Sequence, residues 1–175
     1  MAIDLTTIFE NISNVFPDPL SRVAIFQKMF AQLGYDPLTQ TLTATDDEQS
    51  NSTLRIYVLA YIANTIPYIT FTSSTDSLNL ISQLKPLFEA EFNDVLLTGE
   101  VFSWLSRIYQ KSIADISTRG AQLPQVNTFY AESMPLPVIA QYLYQNGART
   151  AELLLRNNDL DHPLFCTGML EVLAQ

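Results

Sequence analysis

The chain has 175 residues, enough to bury a sizeable core in one or two domains. Hydrophobic residues make up 47% and charged residues only 15%, so the charged surface is sparse and large areas are expected to be covered by protein. The formal net charge is −9, and the three lysines and six arginines are scattered. No basic patch exists to neutralise phosphates, so direct nucleic-acid binding is not expected, and any link to DNA would run through partners.

In chain order, Asp4 is a candidate N-cap for a first helix that aligns Leu5, Ile8, Phe9, Ile12 and Val15 on one stripe. Pro17-Asp18-Pro19 ends it. A second helix runs through Val23, Phe26, Met29, Phe30 and Leu33 to a C-cap at Gly34. These two form an N-terminal helical hairpin, assigned to residues 1–45. The acidic flank and broken apolar pattern of the N-terminus differ from a secretory signal, so the chain is expected to stay in the cytoplasm until assembly.

Tyr35 to Ser52 is polar and rich in turn residues and reads as a linker or exposed loop. Its acidic run, Asp46-Asp47-Glu48, fits a solvated helix N-terminus better than a cation site. A helical domain over residues 46–123 follows. Its first helix carries Leu54, Tyr57, Val58, Tyr61 and Ile62 and stops or kinks at Pro67. Ile56 to Thr75 is uncharged and near the length of a membrane span, but Asn64, Pro67 and the Thr/Ser run read as a buried helix and a turn. Tyr68 to Thr72 is irregular. Ser73 with Asp76 caps the next helix, which presents Leu78, Ile81, Leu84, Leu87, Phe88 and Val95 and contains Pro86. After Gly99, a further helix places Phe102, Leu105, Ile108, Tyr109, Ile113 and Ile116 on one face and ends before Gly120.

The remaining residues, 124–175, form a separate module. Asn127 to Glu132 is strand-like, Val138, Ile139, Tyr142 and Leu143 recur at helical spacing, Ala151 to Leu155 is a second helical run, and Met169 to Ala174 is strand-like again. The order is β-α-α-β. The fold class is therefore mainly α, with a helical hairpin and helical segment followed by a small βααβ unit.

Catalytic chemistry is poorly supplied. The five glycines lie far apart, so no phosphate-cradling loop or dinucleotide fingerprint can form. His162, with Asp159 and Asp161, lacks a diagnostic metal-ligand spacing, and a loop histidine with local hydrogen bonds is the simpler reading. His162 and Cys166 have no third group to orient them as base and nucleophile. Cys166, the single cysteine, reads as a small buried hydrophobe. Glu89, Glu91 and Asp94 read as a solvated helix face, and Trp104 as a core or interface anchor. No catalytic, metal or cofactor-binding residue is assigned, and no enzyme activity is expected.

The C-terminal residues carry a specific likeness. Leu143-Tyr144, Arg149, Glu152, Arg156-Asn157, His162-Pro163, Phe165, Gly168 and Leu170-Glu171-Val172-Leu173 follow one another along this β-α-α-β order, which resembles the LysM module. More closely, this pattern resembles the LysM-like C-terminal end of the DNA-circularisation proteins of Mu-like phage tails. Gln145-Asn146-Gly147 replaces the usual glycine-aspartate turn, and upstream the likeness is one of helical pattern only.

The resemblance implies a virion structural protein of a phage tail, at the baseplate or tail tip, made in the host cytoplasm. It would act as a protein–protein adaptor whose partners are other tail or baseplate proteins, with homo-oligomerisation in the virion open to it. The alternative it implies is a peptidoglycan-binding LysM-type module. In such modules sugar contacts come from the loops before the first helix and after the second, here Ser133-Met134-Pro135 and Asn157 to Asp161, which lack an aromatic platform.

Overall fold

The structure, a computed structural model, describes residues 5–160 and 162–174. The expected cap Asp4, the side chain of Leu5 and the loop residue Asp161 lie outside the described residues. The chain divides into two compact units, Met1–Phe71 with Asp76–Ala121 and Thr72–Thr75 with Gln122–Gln175.

The first unit is helical. Helix α1 (Leu5–Val15) stops before Pro17, and α2 (Pro19–Gln32) begins with Asp18 as N-cap and proline at its first position, where a missing N–H costs nothing. Among the described side chains of the α1 stripe, Phe9 is fully buried, whereas Val15 is 68% exposed. Helix α2 buries Val23, Phe26 and Phe30, and Gly34 follows it with φ +98°, the left-handed conformation expected of a residue just past a helix end.

The segment read as a linker is instead ordered. Strands β1 (Tyr35–Asp36) and β2 (Thr41–Leu42) pair antiparallel, with Tyr35 buried against Phe30. The Asp36 carboxylate accepts the Leu38 N–H at 2.9 Å and the Thr39 hydroxyl at 3.1 Å, which closes the turn locally.

Asp47 caps α3 (Glu48–Thr65), accepting the Ser50 N–H at 3.2 Å. That helix buries Val58, Leu59 and Ile62, then passes into a 3-10 turn (Ile66–Tyr68) at Pro67. Helix α4 (Ser74–Phe92) buries Leu80, Leu84, Leu87 and Phe88. Val95, expected on its stripe, lies beyond the helix and is 93% exposed. Thr98 caps α5 (Gly99–Gly120), whose fully buried apolar anchors are Leu105 and Ile116. Gly120 is the last residue of α5 and does more than end it. A Cβ there would overlap the Ser77 side chain, so glycine lets α5 approach α4 closely. Side chains from α1 to α5 and from Tyr35 share one hydrophobic core.

The second unit is a small βααβ element. Strands β3 (Val126–Met134) and β4 (Cys166–Leu173) pair antiparallel, from Val126 opposite Leu173 to Ala131 opposite Gly168, with an irregularity before Met134. Between them lie α6 (Leu136–Tyr144), a 3-10 turn (Gly147–Arg149) and α7 (Thr150–Arg156). Leu136, Ile139 and Ala140 of α6, Leu153 of α7 and Leu170 and Val172 of β4 form its core. The buried stripe of α6 therefore runs through Leu136, Ile139 and Ala140. Val138 and Tyr142 are exposed, and Leu143 is half-buried. Among the described residues, no helix is long and apolar enough to cross a membrane.

Candidate functional site

Five residues of the C-terminal pattern, Tyr144, Arg149, Glu152, Asn157 and Glu171, join its helices and strands through side-chain contacts. Tyr144 ends α6, and its hydroxyl accepts the Leu173 N–H of β4 at 2.8 Å. Burial raises its pKa, keeping the phenol protonated. The Arg149 guanidinium lies 3.7 Å over the Tyr144 ring and grips Glu152 with two hydrogen bonds of 2.8 Å. This cation–π contact and the bidentate pair fix the turn between the helices.

One turn further on, Asn157 caps α7. Its side-chain N–H groups reach the Leu153 carbonyl at 2.9 Å and the Glu171 carbonyl at 2.8 Å, while its Oδ1 accepts the Glu171 N–H at 2.7 Å. The amide thus imitates a strand along the outer edge of β4. Arg156 donates to the Thr72 hydroxyl at 2.8 Å. Tyr144, Arg149, Glu152, Asn157 and Glu171 therefore act as the braces of the βααβ unit.

The residues weighed for chemistry are placed as follows. His162 is exposed, its Nδ1 accepts the Leu164 N–H at 3.1 Å, and its ring lies 5.5 Å from that of Phe165. Cys166 is buried, which pushes its thiol pKa up, and its Sγ lies 3.4 Å from the Pro163 carbonyl and 3.8 Å from that of His162. The thiol thus addresses the backbone of His162 and not its imidazole. Among the described residues, no three His, Cys, Asp or Glu side chains gather as a metal site.

The segment between α7 and β4 folds back to α6, because the Leu136 N–H donates to the Pro163 carbonyl at 2.9 Å. This brings the loop before α6 beside the loop after α7. Phe165, four residues beyond the stretch considered in the sequence, stands there 65% exposed. An exposed aromatic ring therefore stands in the same α7–β4 segment, beyond the Asn157–Asp161 stretch, which itself holds none.

In the helical unit the acidic residues on α4 and just beyond it diverge. Glu89 is exposed and 3.6 Å from Lys85. Glu91 and Asp94, expected on a solvated face, are buried around Arg55 of α3 at 2.7 and 2.5 Å. Arg55 also donates to the Leu33 carbonyl at 3.0 Å, tying α2, α3 and the end of α4 together. Desolvation holds the Glu91 carboxyl above the usual carboxylate range, against the opposing pull of Arg55. A signal for Arg55 was present, since Arg55, Val58, Leu59 and Ile62 share helical spacing and one buried face.

Trp104 is 45% exposed and, with Ile56, Tyr57, Ala60 and Val101, lines an apolar groove of about 660 Å³ between α3 and α5. Compared with known proteins, the chain matches no family model and no curated protein.

Proposed function

We propose that the chain is a structural component of a phage tail, at the baseplate or tail tip, and that its βααβ unit is a LysM-type module. One observation supports this most. The residues that carry the likeness to the tail proteins, Tyr144, Arg149, Glu152, Asn157 and Glu171, are the ones that brace the unit. The β-α-α-β order of the unit is compatible with a LysM-like topology, which supports the reading. A tail role predicts a fixed copy number in purified particles.

For the module itself, contact with peptidoglycan has the more specific geometric support. The segment after α7 is hydrogen-bonded to the start of α6, so the two loops corresponding to the LysM sugar loops lie near one another, and the exposed ring of Phe165 in that segment offers an apolar face on which a sugar can stack. The adaptor reading draws on exposed apolar side chains elsewhere on the module, Tyr142 and Leu155 among them. Sedimentation of the full chain with purified cell-wall sacculi separates the two. Glycan recognition expects co-sedimentation that Phe165→Ala abolishes with folding unchanged. No co-sedimentation leaves the module as an adaptor.

A further inference from the structure

The small sheet of the βααβ unit has two unlike edges. On β4, the edge turned away from β3 is closed by side chains, with Asn157 taking both backbone groups of Glu171 and Tyr144 taking the Leu173 N–H. These bonds also define the direction of every group in the ladder. Opposed residues of an antiparallel pair alternate between exchanging both backbone bonds and exchanging none. Glu171 and Leu173 point away from β3, so their opposites, Thr128 and Val126, point away from β4, and the same alternation turns Tyr130 outward.

At Val126 the outward N–H meets the Thr75 hydroxyl at 3.0 Å. At Thr128 and Tyr130 the sheet simply ends, because β3 and β4 are its two strands. Both side chains are exposed, Tyr130 to 62%. Proteins usually defend such an edge with lysine, proline or a charge within the strand. β3 contains no lysine, arginine or proline, and its one charged residue, Glu132, lies beyond the open stretch.

A row of backbone donors and acceptors is satisfied by another extended strand. Charge does not oppose a second copy of this chain at this edge. With a net charge of −9, copies of this chain repel one another wherever acidic surfaces meet. Between Gly120 and Glu132 there is no Asp, Glu, Lys or Arg, so a second copy meets no like charge at this edge, and no acidic group there attracts a basic strand.

We infer that the Thr128–Tyr130 edge of β3 pairs antiparallel with the same edge of a second copy of this chain, about a twofold axis near Phe129. Thr128 of each copy then faces Tyr130 of the other, and the outward N–H and C=O groups of both residues are satisfied. The inference stands on the backbone of the βααβ unit and does not depend on the tail role.

Sedimentation equilibrium of the full chain tests it, with Thr128→Pro and Tyr130→Lys alongside. Proline at Thr128 removes an outward N–H and leaves the bonds to β4 in place. Lysine at Tyr130 leaves the backbone intact and brings like charges to the axis. The expected result is a reversible wild-type dimer whose dissociation constant rises about tenfold or more in each folded variant. Amide exchange on the wild type provides a reading free of mutation, and the Thr128 and Tyr130 amides should gain protection as concentration rises. A wild-type chain that stays monomeric at about 100 µM overturns the inference. So does a dimer that Tyr130→Lys retains at wild-type affinity, or one in which exchange at those two amides is unchanged.

Discussion

Asn157 and Glu171 face each other as a strand pair would, the asparagine amide donating to the Glu171 carbonyl at 2.8 Å and accepting its N–H at 2.7 Å. A single side chain thus joins the end of α7 to the free edge of β4. Asn157→Ala strands both backbone groups of Glu171, and a loss of about 1–3 kcal/mol is expected. The neighbouring Asn158 is exposed, and Asn158→Ala should stay within about 0.5 kcal/mol of wild type. Urea melts of the two variants check the contrast. Equal stabilities would show that Asn157 is no brace.

The core of the βααβ unit gives a graded series. Leu153 is 1% exposed, so Leu153→Ala should cost about 2–5 kcal/mol through lost contacts and a residual cavity. Leu143 is half-buried and its truncation should cost clearly less. Val172→Asp should be the worst of the three, because it places a charge without a partner in the strand that completes the sheet. Thermal melts read the order directly.

Arg55 is buried between Glu91 and Asp94, whose side chains are 0% and 8% exposed. Removing the cation leaves two carboxylates close together without their partner, so Arg55→Ala should destabilise the helical unit by about 3–5 kcal/mol. The loss should appear in chemical denaturation and should be partly recovered on adding Glu91→Gln and Asp94→Asn, which remove the stranded charges.

Asp18 sets a weak pH dependence. Hydrogen bonds from the Ser21 hydroxyl at 2.7 Å and the Ser21 N–H at 2.8 Å hold its carboxyl below the ordinary value of 3.8. The folded pKa is lower than the unfolded one, so this contribution is present above 3.8 and is lost as pH falls through the folded value. Asp18→Asn retains an acceptor at the N-cap and cannot titrate. Its stability should therefore fall less steeply than wild type on acidification, as followed by melts at stepped pH.

Much of this architecture can be read from residue order. Proline at 17 and 67, the acidic run at Asp46-Asp47-Glu48 and the glycines at 34 and 99 mark helix ends because each acts on its own few residues. The βααβ order follows similarly from local periodicity. What escaped depends on partners distant in sequence. Glu91 and Asp94 look like solvent-facing carboxylates until Arg55, some 36 residues earlier, is brought to them. Gly120 looks like a helix stop until Ser77 is packed beneath it. Tyr35 looks like part of a polar linker until Phe30 covers it and a short hairpin forms around Asp36. In the module, the pattern residues were visible, but their bracing role and the return of Pro163 to Leu136 appear only in three dimensions.

The proposed tail role is tested most directly by quantitative mass spectrometry of purified phage particles from a host producing this chain. The account predicts peptides spanning both units at a fixed ratio to a tail protein of known copy number, preserved after separation of tails from heads. Absence of the chain from intact particles, or an amount that varies from one preparation to the next, would contradict it.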